Sequence, residues 1–513
     1  MIRLNTTPIE EIVGPAIAQV LPKYEKPWWR TKHLLVLNCL MLVPLLSSAT
    51  AGYDGSLMNG LQSLQEWRDF FGNPHGTMLG FINAAQNCGC LIALPTVGWL
   101  TDRIGRKPVL ISGLFGIVVA TIIQATAFTM AQMIVARFIV GAAGMFAVQP
   151  VSLLTAELAY PSFRGKLTSL YWCMWYLGAI LASWSCYGTS GRGDSWAWRI
   201  PTILQAGFPC LQLLFMWLVP ESPRWLVSKG RISEARGILV KYHANGDDKL
   251  PLIDVEMTEI IQALDLEKEA AKSRWLDLVR TPGNRKRTYI ALSVGVGAQW
   301  NGIAVVSYYL TLVLDTIGIT SSDMQSLING LLQIFNLVAA VTGALVVDRF
   351  GRRSLFLFSG IGMLISYIIW TACSAKFSQT GSKQYGRAVL GFIFIYYFHY
   401  DIAYTPLLLA YPTEIFPYHL RSKGITVELF GVYSALLIAA FCNSIAMDRI
   451  GWRYYIVFCC ILGALVVNTY VFYPETKGYS LEEIARVFDG EDTVALVDDA
   501  ESFKARAEHH DTV

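Results

Sequence analysis

The decapeptide TDRIGRKPVL at residues 101–110 recurs in the second half of the chain as VDRFGRRSLF at residues 347–356. Two other motifs recur at nearly the same separation: AELAYPSFRGK returns as PTEIFPYHLRSK, and VPESPRWL returns as YPETKGYSL. Ordered repeats at a nearly constant offset indicate a duplicated structural unit. The sequence therefore predicts two homologous halves.

The composition predicts a membrane protein. Of the 513 residues, 54% are hydrophobic and 15% are charged, whereas a soluble protein has about a quarter charged residues. The apolar runs are about 20 residues long, enough for a helix to cross a bilayer, and they lack the alternation of membrane β-strands. We therefore predict an all-α membrane protein with twelve transmembrane helices. The predicted spans are 34–54, 78–100, 108–128, 131–156, 167–188, 200–219, 288–314, 325–347, 354–375, 388–412, 424–446 and 453–473.

The repeat and the spans predict the domain organisation. Two six-helix bundles are expected, joined by an intracellular helical linker and flanked by cytosolic segments. The predicted parts are an N-terminal segment at 1–33, the bundles at 34–219 and 288–473, the linker at 220–287 and a tail at 474–513.

The basic residues predict the orientation. With both termini on one side, that side collects the repeated basic motifs and the basic linker, so the positive-inside rule places both termini in the cytosol. The N-terminal segment is polar and is not expected to be a cleavable signal peptide. Because the basic residues are explained by topology, we expect the lipid bilayer, and no nucleic acid, as a partner.

The sequence offers no sign of a metal site, a cofactor or enzymatic chemistry. The ten cysteines lie within or beside apolar runs and have no companion ligands, which favours reduced, packed thiols. No nucleophile elbow or phosphate loop stands out. We expect a protein that is not an enzyme.

One acidic residue lies in the first span, in SSATAGYDGSLMNGLQ at 48–63. Ionisable groups within a membrane are rare, face the protein interior and usually have a partner. The best candidate partner of Asp54 is Arg137, early in the fourth span. A guanidinium favours the ionised carboxylate, whereas desolvation favours the protonated one, so a conformational change could alter proton affinity. A static ion pair that fixes helix packing is the alternative.

The motifs DRIGRK, PESPRWL, DRFGRR and YPETKG, in that order, resemble those of the sugar porters of the major facilitator superfamily. GYDGSLMNGLQ and QWNGIAVVSYYL are most similar to the fungal branch that includes lactose and cellodextrin permeases. The resemblance implies transport by alternating access. It also implies that Asp54 and Arg137 form a proton-coupling pair, because facilitative members often carry a neutral residue in place of the aspartate.

The repeated charged motifs predict a cytosolic salt-bridge latch with one cluster in each half. Helix ends with acidic and basic side chains suit such pairing, and the resemblance implies that the clusters hold the halves together when the site faces outward. Topology and helix capping alone are the alternative. The predicted members are Asp102, Arg103, Arg106, Glu157, Arg164 and Glu221 in the first half, and Asp348, Arg349, Arg352, Glu414, Arg421 and Glu475 in the second.

The resemblance also implies a substrate site near the membrane midplane, where amides and aromatic rings bind sugars. The predicted substrate residues are Gln299, Asn336, Trp172, Tyr400 and Asp401, with Tyr308 and Tyr309 as an outer gate. An asparagine or glutamine in a span can instead only join helices.

Four positions depart from the hexose-transporter pattern: Ala298, Ala304, Trp172 and Leu409. Fewer amides and a changed pocket shape make glucose itself a weaker expectation and allow a disaccharide, another polyol or a less polar metabolite.

The sequence thus predicts a proton-coupled transporter of a hexose or disaccharide, functional as a monomer in the plasma membrane. A facilitator or exporter of a non-sugar metabolite is one alternative. A sugar-sensing receptor that resembles a transporter is the other.

Overall fold

The computed structural model describes residues 15–22, 28–271, 273–346, 350–477 and 481–489. Within these ranges all regular secondary structure is helical. The long helices before the linker are α1 (Lys32–Ser63), α2 (Gly76–Ile104), α3 (Arg106–Ala125), α4 (Met130–Leu158), α5 (Arg164–Thr189), α6 (Trp196–Leu204) and α7 (Gly207–Phe215).

The linker and the second half are also helical. The linker contains α8 (Pro223–Ser228), α9 (Ile232–His243) and α10 (Pro251–Ala271). The helices that follow are α11 (Pro282–Trp300), α12 (Ile303–Asp315), α13 (Ser322–Val346), α14 (Arg352–Thr380), α15 (Lys383–Ile415), α16 (Tyr418–Ile450), α17 (Tyr455–Phe472) and α18 (Leu481–Asp489).

Each of the twelve predicted spans is mainly helical over its described residues. Within the described ranges, nine helical stretches are long and apolar enough to cross a membrane, and the longest, His419–Phe472, contains the last two predicted spans. The sixth predicted span comprises two helices, because α6 ends at Leu204 and α7 begins at Gly207. Pro209 explains this break, since a proline cannot donate to the carbonyl four residues earlier and its ring clashes with that carbonyl, here Gln205.

The chain forms two compact units. The first comprises 1–266, 304–337 and 437–451, and the second comprises 267–303, 338–436 and 452–513, each over its described residues. The first unit therefore contains α1–α9, most of α10 and α12, the first part of α13 and the last part of α16.

Small residues bring the helices of the first unit close together. A Cβ at Gly52 on α1 would collide with the Trp175 carbonyl on α5, and a Cβ at Gly178 would collide with the Ala49 carbonyl. Gly141 on α4 lies in the same way against the Gln86 carbonyl on α2. Such close approach is typical of helix packing in membranes. It sets α1 against α5 and α2 against α4.

The second unit has an aromatic core between α14, α15 and α17. Tyr367 and Trp370 on α14 pack with ring centroids 4.6 Å apart, and Trp370 also contacts Tyr455 at 4.9 Å. Tyr396 on α15 donates a hydrogen bond of 3.0 Å to Oδ1 of Asn301, just after α11. This bond ties α15 to the point where the seventh predicted span is interrupted.

Candidate functional site

The centre of the first unit contains a buried ion pair. Asp54 on α1 is 4% exposed and Arg137 on α4 is fully buried. Arg137 Nη1 donates to Asp54 Oδ1 over 2.6 Å. An ion pair this far from water is stable only with good geometry and further hydrogen bonds.

Two glutamines supply those bonds. Gln86 on α2 donates through its amide to Asp54 Oδ2, and its carbonyl oxygen accepts from Arg137 Nη2. Gln205, in the break between α6 and α7, donates to Asp54 Oδ1 over 3.0 Å. The Asp54 carboxylate therefore accepts from three donors on three different segments.

The hydrogen bonds around Asp54 suit an ionised carboxylate. An ionised carboxylate accepts hydrogen bonds at both oxygens, whereas a protonated one carries an O–H that must itself find an acceptor. Arg137, Gln86 and Gln205 are all directed at the carboxylate, which offers about four lone-pair sites, so a bound proton would compete with these donors. The three donors therefore stabilise the ionised form of Asp54.

Gln86 and Gln205 are absent from the predicted site. An amide in an apolar run carries no charge, so its sequence context does not separate a ligand of the carboxylate from a residue that only joins helices. One signal was available for Gln205, because Pro209 four residues later predicts an interrupted helix at that position.

The seventh span is bent where α1 meets it. Tyr309 on α12 has non-helical backbone angles, φ −138° and ψ 31°. The Asn59 side chain compensates for the bend, donating to the Val306 and Ser307 carbonyls and accepting from the Leu310 N–H over 3.2 Å.

Further contacts hold this bend in the first unit. Gln62 on α1 donates to the Tyr308 carbonyl over 3.0 Å, and Ser63 lies 2.8 Å from the Ser326 hydroxyl on α13. Of the two tyrosines predicted as a gate, Tyr309 is fully buried and donates to the Ala440 carbonyl, whereas Tyr308 is half-buried. Both belong to the bent segment that α1 holds.

Helix α13 presents a row of buried amides. Asn329, Gln333 and Asn336 are spaced by four and three residues, so they share one face of the helix. Asn329 Nδ2, Gln333 Oε1 and Asn336 Oδ1 are buried and form no hydrogen bond with any described residue. Buried polar atoms usually have a partner, so this row is a candidate for binding hydroxyl groups. Only Asn336 is in the predicted set.

The other predicted substrate residues belong to three other helices. In the second unit, Gln299 is half-buried near the end of α11. On α15, Tyr400 stacks on Tyr404 with centroids 5.6 Å apart, and the buried Asp401 accepts from Thr405 over 2.9 Å. Trp172 belongs to α5, and its side chain lies outside the described part of the chain.

A first charge cluster lies at the start of α3, made of Arg106, Glu157, Glu221 and Ser222. Arg106 donates to Glu157 through Nε and Nη2, both over 3.1 Å, and the Ser222 hydroxyl also donates to Glu157. Glu221 accepts from the backbone N–H groups of Arg106 and Lys107. A carboxylate in this position satisfies the free N–H groups at the helix start. Burial raises the pKa of Glu221, and these donors oppose the rise.

The second unit contains the equivalent cluster at the start of α14, made of Arg352, Glu414, Glu475 and Thr476. Arg352 lies 3.2 Å from Glu414, and Thr476 donates to the same carboxylate, as Ser222 does to Glu157. Glu475 accepts from the backbone of Arg352 over 2.7 Å and from that of Arg353. The repeated motifs therefore fold into the same set of contacts twice.

The glycine of each motif has a steric reason. Gly105 has φ 110°, and a Cβ there would lie 2.5 Å from a Glu221 oxygen. A Cβ at Gly351 would collide with Glu475 in the same way. A Cβ at either position would push the carboxylate away from the helix start, and at Gly105 the positive φ also favours glycine.

Other predicted latch residues take different positions. Asp102 is exposed and lies 3.5 Å from Arg106, and Arg103 stacks over the Trp99 ring. Arg164 donates to the Ala159 carbonyl and lies 3.6 Å from Glu256 of the linker. Arg421 is half-buried on α16. Asp348 and Arg349 lie outside the described residues.

Two helical units with matching charge clusters, together with an ion pair buried among apolar spans, define a multi-span membrane transporter. The family model described as "Sugar (and other) transporter" matches residues 40–488. The chain belongs to this family, in which the proteins are carriers rather than enzymes.

Individual proteins agree with this assignment. The chain is 29% identical to the MFS-type transporter oryC of Aspergillus oryzae over 95% of this chain and 92% of that protein. It is 28% identical to the low-affinity glucose transporter HXT3 of Saccharomyces cerevisiae, over 88% of this chain and 82% of that one. The inward-open structure of the xylose transporter XylE from E. coli matches with a TM-score of 0.74 at 24% identity, covering 88% of this chain and all of XylE. That structural likeness shows the major facilitator fold, so the predicted fold class is confirmed.

Proposed function

We propose that this protein is a proton-coupled sugar transporter that works by alternating access, with Asp54 as the proton-binding residue. The observation that carries the proposal is the set of three hydrogen-bond donors around this one buried carboxylate. The three donors belong to three different segments, so a movement of any one segment would change the stabilisation of the ionised carboxylate.

The coupling follows from the chemistry of the pair. While Arg137, Gln86 and Gln205 surround Asp54, the carboxylate stays ionised. When a conformational change withdraws a donor, the ionised form loses stabilisation and a proton binds. When the donor returns to the carboxylate, the proton is released. Proton affinity therefore differs between two conformations, which is the requirement for coupling.

The available energy is sufficient for uptake with one proton. A membrane potential of 100 mV contributes about 2.3 kcal/mol per proton, and one pH unit contributes about 1.4 kcal/mol. At about 1.4 kcal/mol per factor of ten, the sum sustains roughly 500-fold accumulation of a neutral solute.

The proposed substrate is a hexose or a disaccharide. The unsatisfied amide atoms of Asn329, Gln333 and Asn336 support it, because sugar hydroxyls both donate and accept hydrogen bonds. Gln299, Tyr400, Asp401 and Trp172 remain proposed substrate contacts. Among relatives, HXT3 is a glucose transporter and XylE has been described as a proton:xylose symporter.

We assign the bent segment at 306–310 to an outer gate and the two charge clusters to a cytosolic latch. Asn59 and Gln62 support the gate, because they satisfy backbone groups that a straight helix would satisfy itself. The proposed setting is the plasma membrane, with both termini cytosolic and the monomer as the functional unit.

The test is a substrate panel with simultaneous recording of external pH. Cells that lack their own sugar carriers express the protein and receive hexoses, disaccharides and polyols in a weakly buffered medium. A transported substrate should alkalinise the medium when it is added. Uptake of a sugar without alkalinisation would leave sugar transport standing and contradict the proton coupling.

A second function is favoured by two buried alanines in the seventh span. Ala298 and Ala304 are both buried, at positions where the hexose-transporter pattern has amides. A less polar metabolite would need fewer hydrogen bonds from this segment. If the panel gives no sugar uptake, and labelled non-sugar metabolites equilibrate across the membrane of expressing cells only, this second function replaces the first.

A further inference from the structure

A second buried titratable pair lies outside the membrane-spanning helices. His243 at the end of α9 and Glu256 on α10 are 0% and 1% exposed, and His243 Nδ1 lies 2.9 Å from Glu256 Oε2. The other ring nitrogen, Nε2, lies 3.2 Å from the carbonyl of Leu158, the last residue of α4. Both ring nitrogens therefore face oxygen atoms.

The hydrogen bonds indicate how many protons the pair holds. The Leu158 carbonyl can only accept, so Nε2 must carry a hydrogen. The bond between Nδ1 and Glu256 then needs one more hydrogen, held on the ring or on the carboxyl. A neutral imidazole beside an ionised carboxylate lacks that hydrogen. The geometry thus requires one proton shared between His243 and Glu256.

We propose that His243 and Glu256 form a proton-binding site that reports cytosolic pH and holds the linker against the end of α4. This site is separate from Asp54 and does not depend on the nature of the substrate. Its ligand is the proton itself, and histidine is the side chain whose charge ordinarily changes near neutral pH.

Charged, titratable and aromatic groups surround the pair. Arg164 at the start of α5 lies 3.6 Å from Glu256, and the Tyr160 ring meets the His243 ring edge to face at 5.4 Å. Burial raises the pKa of Glu259 on α10, and Arg164 opposes the rise. Burial lowers the pKa of His33 at the start of α1, and the nearby His243 lowers it further.

Loss of the shared proton weakens the docking of the linker. Without it the ring can donate only one hydrogen bond, and either Leu158 or Glu256 loses its donor in a buried interface. Leu158 directly follows Glu157, which holds Arg106 in the first charge cluster. A rise in cytosolic pH should therefore loosen the linker beside that cluster, and acidification should tighten it.

The test is hydrogen–deuterium exchange of the full-length protein in lipid nanodiscs. Protection of the segment 232–258 is measured at about pH 6.5 and about pH 8.5, after correction for the intrinsic pH dependence of exchange. For the wild type, the protection factor should fall by about ten-fold at the higher pH, as expected for one lost hydrogen bond. His243→Gln should show the lower protection at both pH values.

Two more variants separate this site from a general pH effect. Glu256→Gln keeps the imidazole but removes the ionised acceptor, so it should also lose the pH dependence. His75→Gln changes a histidine outside the linker and should behave as the wild type does. Equal protection of the wild type at both pH values, or a pH dependence that persists in His243→Gln, would overturn the proposal. The wild-type comparison needs no variant to fold.

Discussion

The most informative substitution in the proton site is Gln205→Leu. Leucine is similar in size to glutamine but apolar, so it removes a single hydrogen bond, the 3.0 Å bond from Gln205 Nε2 to Asp54 Oδ1. The other amide atom, Oε1, forms no hydrogen bond with the described residues, so no second interaction is lost. The change therefore isolates one donor to the carboxylate.

The size and sign of the effect follow from this bond. A hydrogen bond to a charged group contributes about 1.5–3 kcal/mol, and one pH unit corresponds to about 1.4 kcal/mol. The donor stabilises the ionised carboxylate, so its loss favours protonation. The external pH at which uptake is half-maximal should rise by about 1–2 units.

The assay is the initial rate of labelled substrate uptake into proteoliposomes as a function of external pH. Gln212→Leu is the matched control, because Gln212 belongs to the same span and also bonds α1, through the Val43 carbonyl and the Ser47 hydroxyl. It should leave the half-maximal pH unchanged. A Gln205→Leu profile that coincides with the wild type, or moves to lower pH, refutes the role given to the donors.

Three further substitutions test the charge clusters and the bent span. Glu157→Gln leaves Arg106 without its buried charged partner and should lower the free energy of unfolding by about 3 kcal/mol, measured by thermal unfolding in detergent. Glu414→Gln changes the more exposed second cluster and should lower it by less. Equal losses would contradict the link to burial. Asn59→Ala should speed hydrogen exchange at Leu310 by about ten-fold or more, because that N–H loses its acceptor. Unchanged exchange there would show that Asn59 does not hold the bend.

The fold was predictable because its determinants repeat in the sequence. Apolar runs of membrane length gave the spans, and the paired motifs gave the duplication. The roles of Ser222 and Thr476 were also visible in principle, because each follows the glutamate of the same repeated motif. A repeat marks every position that both copies need, including neutral ones.

The site was less predictable because its decisive contacts join distant, uncharged residues. Asp54 and Arg137 stand out as charges among apolar residues, but the sequence does not show which amides reach them. Gln86 comes close only because Gly141 lets α2 and α4 approach. Gln205 comes close only because the helix is broken at that residue. Such contacts depend on packing between helices, which a local pattern does not contain.

The central claim is that Asp54 binds and releases the transported proton. The direct measurement is the ratio of internal to external substrate at steady state. It is made in proteoliposomes with an imposed gradient of about one pH unit and a membrane potential of about 100 mV. The wild type should accumulate substrate up to roughly 500-fold, whereas Asp54→Asn should reach a ratio near one while still exchanging substrate. Accumulation by Asp54→Asn well above the external concentration would contradict the account.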